Sequence, residues 1–260
     1  MNTLLSNLPK RTKNPRRDGV TMVMDKGLSI RQVEDLIEAS GEYIDFVKFG
    51  FGTSIITNKL AEKIKLFKGA NIKTYFGGTL FEAFIVRGMF DDYRSYVDKF
   101  KLEAVEVSDG SIDIDHDRKC EYIQKLSKDF TVLSEVGSKE EGIIIHPSLW
   151  IKMMNKEIQA GSWKVIAEAR ESGTVGIYRS SGHAHTSLVS KIVASVKQEN
   201  IMWEAPQKSQ QVWWIKQLGS NVNLGNIAPE EVIPLETLRL GLRGDTFFTF
   251  LPKEFNKKIK

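Results

Sequence analysis

Cysteine is nearly absent: Cys120 is the single thiol among 260 residues. One cysteine excludes a disulfide framework and a cysteine-ligated zinc or iron–sulfur centre within one subunit, and it fits a reducing compartment. No apolar run approaches the roughly 20 residues that a membrane-spanning helix needs. The start, MNTLLSNLPKRTKNPRR, has no charged stretch ahead of a long apolar one, so no secretion signal is expected. These absences point to a cytoplasmic protein that does not enter the membrane. Nucleotide motifs are lacking too: no G-x-G-x-x-G follows the first strand-like run, no Walker pattern occurs, and GTS at 52–54 is too short to be a phosphate loop.

Excess charge is absent from the body of the chain. The net charge is +4, but residues 1–17 carry +5 (Lys10, Arg11, Lys13, Arg16, Arg17) and residues 251–260 carry +3, which leaves the body at −4. A mildly acidic body argues against a broad nucleic-acid surface. The expected organisation is a basic, flexible tail over 1–17, one catalytic domain over 18–250 and a basic tail over 251–260, both ends being solvated. No linker, composition shift or low-complexity segment divides the body.

What is present is 41% apolar residues in a regular beat. Eight short runs read as strands: TMVM (21–24), IDFVKF (44–49), IKTYF (72–76), EAVEV (103–107), FTVLSEV (130–136), WKVIAEA (163–169), IMWEA (201–205) and NVNL (221–224). Most are continuous or mixed apolar runs, as in strands covered by helices on the outside. Helical spacing intervenes: Ile30, Val33, Leu36 and Ile37 behind a Ser29–Gln32 capping box; Leu60, Ile64 and Phe67; Cys120, Ile123 and Leu126; Leu188, Ile192, Val193 and Val196. Thr79 and Glu82 match a second capping box, and Pro147 suits a first helical position. Eight strand–helix units in this length predict an α/β fold, a single-domain (β/α)8 TIM barrel. A doubly wound sheet is the alternative.

Polar and small residues follow each run: Asp25-Lys26-Gly27, Lys48-Phe49-Gly50, Gly77-Gly78-Thr79, Ser108-Asp109-Gly110, Glu135-Val136-Gly137, Glu168 to Gly173, Glu204-Ala205-Pro206 and Asn223 to Asn226. In a barrel these ends converge on one mouth. Loop composition explains the glycines. It does not explain Lys48, Glu106, Glu135, Glu168 and Glu204, which sit within or at the ends of apolar strands, where an unpaired charge is costly. Candidate cations are Lys26, Lys48, Lys139, Arg170 and Arg243; candidate anions are Glu106, Asp109, Glu135, Glu168 and Glu204. Oxygen ligands without a His or Cys cluster suggest Mg²⁺. Cations beside such a site suggest a multiply charged substrate, such as a phosphorylated carboxylate. Asn223, Gly225, Asn226 and Arg243 stand where barrels often hold phosphate. His183 and His185 read as loop or capping residues, His116 and His146 receive no role, and Cys120 reads as core. Trp213 and Trp214 read as packing against the barrel or a subunit neighbour.

The segments MDKGL (24–28), DFVKFGFGTS (45–54), GGTLFE (77–82), EAVEVSDG (103–110), SEVGSK (134–139), EARESG (168–173), WEAPQKSQQ (203–211), VNLGNI (222–227) and LETLRLGLRGDTF (235–247) together resemble the phosphosulfolactate synthase family, which includes plant heat-stress-associated relatives. The likeness is collinear over residues 18–248. It implies a (β/α)8 barrel and a Mg²⁺-dependent addition of sulfite to phosphoenolpyruvate. The product would be (2R)-2-O-phospho-3-sulfolactate, in sulfonate or coenzyme M biosynthesis, made by a lyase that is a homo-oligomer. It places a lysine after the fifth strand at Lys139, the candidate acid, with Ser138 before it where some relatives carry a second lysine. Expected roles are catalytic for Lys139, Glu106 and Glu135. Lys26, Lys48, Arg170, Asn223, Gly225, Asn226 and Arg243 are expected to bind substrate, and Asp109, Glu168 and Glu204 to bind Mg²⁺. Two other readings stay open: a non-catalytic stress or interaction protein on the same barrel, and another barrel lyase or aldolase acting on a phosphorylated acid.

Overall fold

The structure is a computed structural model that describes residues 5–137, 145–170 and 172–255. Its eight strands are β1 (Thr21–Asp25), β2 (Phe46–Phe49), β3 (Lys73–Phe76), β4 (Ala104–Val107), β5 (Thr131–Val136), β6 (Lys164–Ala167), β7 (Ile201–Glu204) and β8 (Leu224–Ile227). The helices are α1 (Ile30–Ser40), α2 (Leu60–Gly69), α3 (Gly78–Ile85), α4 (Phe90–Lys99), α5 (His116–Leu126), α6 (Pro147–Ala160), α7 (Thr186–Ser195), α8 (Lys208–Leu218) and α9 (Val232–Arg239). All paired strands are parallel, in the order β3-β2-β1-β8-β7-β6-β5-β4. The two end strands of this order, β3 and β4, lie side by side across the seam, so the sheet is a nearly closed (β/α)8 barrel forming one domain.

Two apolar layers hold it. Outward-facing residues such as Val23, Val47, Val105, Val165 and Leu224 pack under the helices. Val20, Met22, Phe46, Tyr75, Ala104, Leu133, Ile166 and Met202 fill the inside. Strand alternation then fixes what comes next on the inner face, because residues i and i+2 point the same way. Two residues beyond Phe46, Ala104, Leu133, Ile166 and Met202 stand Lys48, Glu106, Glu135, Glu168 and Glu204. All five are buried.

Several local expectations are met. Ser29 and Gln32 form their capping box on α1, and Pro147 opens α6 with His146 as N-cap. Others need correction. The last strand is Leu224–Ile227, not the run at 221–224. Its Gly225 is selected by space, since a Cβ there would lie 2.8 Å from Met22 Cε and 3.2 Å from Met202 Sδ. The expected Thr79–Glu82 capping box does not form: α3 starts at Gly78 after Gly77, without a side-chain cap, and Glu82 instead accepts hydrogen bonds from Ser108 Oγ and the Ser111 amide. For Trp214 the first of its two readings holds: it is fully buried and packs against the barrel, stacking on Trp203 at 4.1 Å between centroids. Cys120 is half-buried rather than core.

The basic N-terminal segment is not simply solvated. Arg11 pairs with Glu236 at 2.8 Å and Arg16 with Asp45 at 2.8 Å, with side chains under a tenth exposed. Both lie at the base of the barrel, where Asp45 also accepts the Thr21 amide. No helix among the described residues is long and apolar enough to cross a membrane.

Candidate active site

At the C-terminal ends of the strands lies a cavity of about 240 Å³ lined by Met24, Lys48, Phe51, Gly77, Gly78, Thr79, Glu106, Glu135, Glu168, Arg170, Glu204 and Asn226. Lys48 is its centre. The ammonium lies 3.2 Å from Glu106 Oε1, 3.3 Å from Glu204 Oε1 and 3.6 Å from Glu135 Oε2. Burial alone would push a lysine toward neutrality, but Glu106, Glu204 and Glu135 reverse that and hold its pKa well above the ordinary value. Three carboxylates sharing one cation repel one another. Burial, with Glu135 and Glu106 nearby, raises Glu204 to about 7 against the opposing pull of Lys48.

The main chain orients the acids. The Gly78 amide donates to Glu106 Oε1 at 2.5 Å, the Ala169 amide to Glu204 Oε2 at 3.0 Å and the Arg170 amide to Glu168 Oε1 at 2.6 Å. Gly78 is required sterically: a Cβ there would lie 2.2 Å from Ser108 Oγ and 3.0 Å from Glu106 Oε1. Arg170 and Asn226 both adopt left-handed backbone, at φ +48° and +56°, an uncommon conformation that turns each into the mouth. Asn226 Oδ1 is buried and has no hydrogen-bond partner among the described residues.

Seven of the residues singled out from sequence therefore share one cavity: Lys48, Glu106, Glu135, Glu168, Arg170, Glu204 and Asn226. Lys26 is on the rim, its ammonium 5.9 Å from the ring centre of Phe51. Gly225 lies within the barrel beneath, between Met22 and Met202. Asn223 is at the opposite end, accepting from the Val20 amide and donating to the Ile201 carbonyl. That follows from the three-residue shift of β8. Asp109 turns away toward Lys119 at 2.8 Å, and Arg243, past α9, does not line the cavity. Lys139 lies outside the described residues.

Sequence reasoning missed the Gly78 amide, the Asp25–Lys63 pair at 2.6 Å beneath the first loop and the buried Lys119. A signal existed for Lys119, which precedes the buried Ile123 by four positions on α5 and so shares its inward face.

The donor set consists of hard oxygens. Four carboxylates face Lys48 and Arg170 across the described lining, an excess of two negative charges when all are ionised, which one divalent cation balances. Among the described residues no three His, Cys, Asp or Glu side chains are grouped as a ready cage. Hard oxygen donors of this kind suit Mg²⁺, which is commonly held by one or two carboxylates with water and substrate oxygens; the charge balance of the lining, not the missing cage, is what bears on it. The residues present therefore fit such an ion.

A (β/α)8 barrel with a convergent, charged cavity at the C-terminal ends of its strands defines a barrel enzyme acting on a small molecule. The family model described as (2R)-phospho-3-sulfolactate synthase (ComA) matches residues 9–245. Phosphosulfolactate synthase of Methanocaldococcus jannaschii is 45% identical over 237 residues, covering 88% of this chain and 94% of the relative. That of Bacillus subtilis is 42% identical over 251 residues, covering 95% and 100%. Protein HEAT-STRESS-ASSOCIATED 32 of Arabidopsis thaliana is 19% identical over 258 residues, covering 88% of each chain. Among solved structures, a 3-hexulose-6-phosphate synthase aligns with TM-score 0.53 and 14% identity, covering 85% of this chain and 98% of the other, a likeness of fold. The chain belongs to the (2R)-phospho-3-sulfolactate synthase family.

Proposed function

We propose that this enzyme adds sulfite to phosphoenolpyruvate with Mg²⁺, forming (2R)-2-O-phospho-3-sulfolactate for sulfonate biosynthesis in the cytoplasm, as a homo-oligomer. The observation that carries the reading is the cavity centred on Lys48 in a chain of this family. Phosphoenolpyruvate carries about three negative charges and sulfite one to two. Their approach costs several kcal/mol unless counter-charges are already in place. The four carboxylates already offset Lys48 and Arg170, so net positive charge toward the substrates would come from the bound Mg²⁺, with Lys26 at the rim. Glu168 and Asn226 would hold Mg²⁺ together with substrate oxygens. When bound there, the ion supplies Lewis-acid stabilisation of charge on the substrate carboxylate.

In this scheme the sulfite sulfur bonds to C3, the enol double bond opens toward C2, and C2 takes one proton from a single face. Lys139, three positions past β5 in the sequence, is the proposed donor, since lysine becomes a usable acid when burial or nearby cations lower its pKa. Glu106 and Glu135 hold Lys48 in place, and Glu204 buffers the cluster's charge. The test is phosphorus NMR of the protein with phosphoenolpyruvate, sulfite and Mg²⁺, each omitted in turn. A new phosphate-ester signal requiring all three supports the reading; release of inorganic phosphate, or carbon–carbon cleavage without sulfite, refutes it.

A further inference from the structure

Lys119 stands behind the cavity wall, on α5, fully buried. Its three ammonium protons meet acceptors on three separate segments: the Glu135 main-chain oxygen at 2.5 Å, Asp109 Oδ1 at 2.8 Å and Glu157 Oε1 of α6 at 2.9 Å. Glu157 Oε1 also lies 3.1 Å from His116 Nε2. Counter-charge for the buried Glu157 requires one of these contacts. The contact with Glu135 needs a different explanation.

Register supplies it. The β4–β5 ladder ends at the pair Val107 and Ser134. Glu135, the next residue, is paired with Ile166 of β6 on one side but has no β4 partner on the other, and on that side Lys119 bonds its carbonyl. The same ammonium holds Asp109, in the loop that follows β4. Glu135 in turn carries a carboxylate 3.6 Å from Lys48.

We propose that Lys119 is a positioning residue: it pins the C-terminal end of β5 and thereby sets the Glu135 carboxylate against Lys48. The proposal rests on the sulfite-addition reading only in its choice of assay. The test compares Lys119→Met, Glu157→Gln and the double variant K119M/E157Q in the full chain. Three readouts are needed: thermal unfolding, kcat and KM with phosphoenolpyruvate, sulfite and Mg²⁺, and hydrogen exchange at the 134–137 amides.

Glu157→Gln keeps the contact with Glu135 and is expected to retain kcat. The double variant removes the charge stranded at the fully buried Glu157; Asp109 also loses its cation, but its side chain is 14% exposed and open to water. This variant is expected to melt near Glu157→Gln while kcat stays about 10²-fold below wild type, the scale of a loss from misplaced groups. KM is expected to move less than threefold, and the 134–137 amides to exchange faster. If the double variant regains wild-type kcat and exchange along with its melting temperature, Lys119 is a counter-charge and the proposal fails. Absence of sulfite-dependent turnover in wild type would refute the functional reading instead, and exchange and melting would still decide the role of Lys119. The double variant also covers the case in which Lys119→Met alone does not fold.

Discussion

At the scale of single residues, the central relation is one ammonium among three carboxylates. Replacing Lys48 with Met leaves Glu106, Glu135 and Glu204 buried without their cation. Breaking such a pair costs about 3–5 kcal/mol. Lys48→Met is therefore expected to lower the melting temperature and to abolish measurable turnover, with the Lys48→Met/Glu204→Gln variant recovering part of the stability but not the turnover. Glu204 gives a pH prediction. Its folded pKa of about 7 lies above the ordinary value of 4.5, so between those values the folded protein holds more protons than the unfolded chain. This group's contribution to stability thus declines as pH rises from about 4.5 to 7. Unfolding free energies measured across that window should fall less steeply in Glu204→Gln than in wild type; parallel profiles would contradict the assignment.

Among elements, the strand alternation decides which side chains meet. Five site charges were legible because each interrupts an apolar strand, and the i+2 rule puts each one layer above an inner apolar residue. Asn223 was misplaced because Gly225 disguised the last strand, shifting its reading by three residues. Lys119 and Lys63 were passed over because helical lysines are ordinarily solvated, whereas these two are buried against Glu157 and Asp25. The first turn of α3 carries its own prediction. Gly78→Ala would press a methyl group against Ser108 and Glu106, displacing the carboxylate that Lys48 needs. A stability loss of about 1–3 kcal/mol is expected from overpacking, with kcat/KM falling at least 30-fold. Unchanged kinetics would show that the Gly78–Glu106 hydrogen bond is dispensable.

For the whole molecule, the two ends of the barrel divide the work. The base holds the larger cavity, about 900 Å³, walled partly by Arg11 to Arg16, Trp163 and Glu236. Two ion pairs in its wall, Arg11–Glu236 and Arg16–Asp45, fasten the N-terminal segment. An Arg11→Ala/Arg16→Ala variant strands Glu236 and Asp45 and is expected to melt several degrees lower with unchanged kcat/KM. Loss of activity at retained stability would tie the base to the reaction. The mouth cavity is smaller, but it gathers buried, mutually tuned charges, and that combination marks a site of chemistry. The most direct test of the account is a crystal structure with phosphoenolpyruvate and Mg²⁺. The ligand is expected among Lys48, Arg170 and Asn226, its C3 open to an incoming sulfite. Ligand density confined to the base, with the mouth empty at saturating concentration, would contradict it.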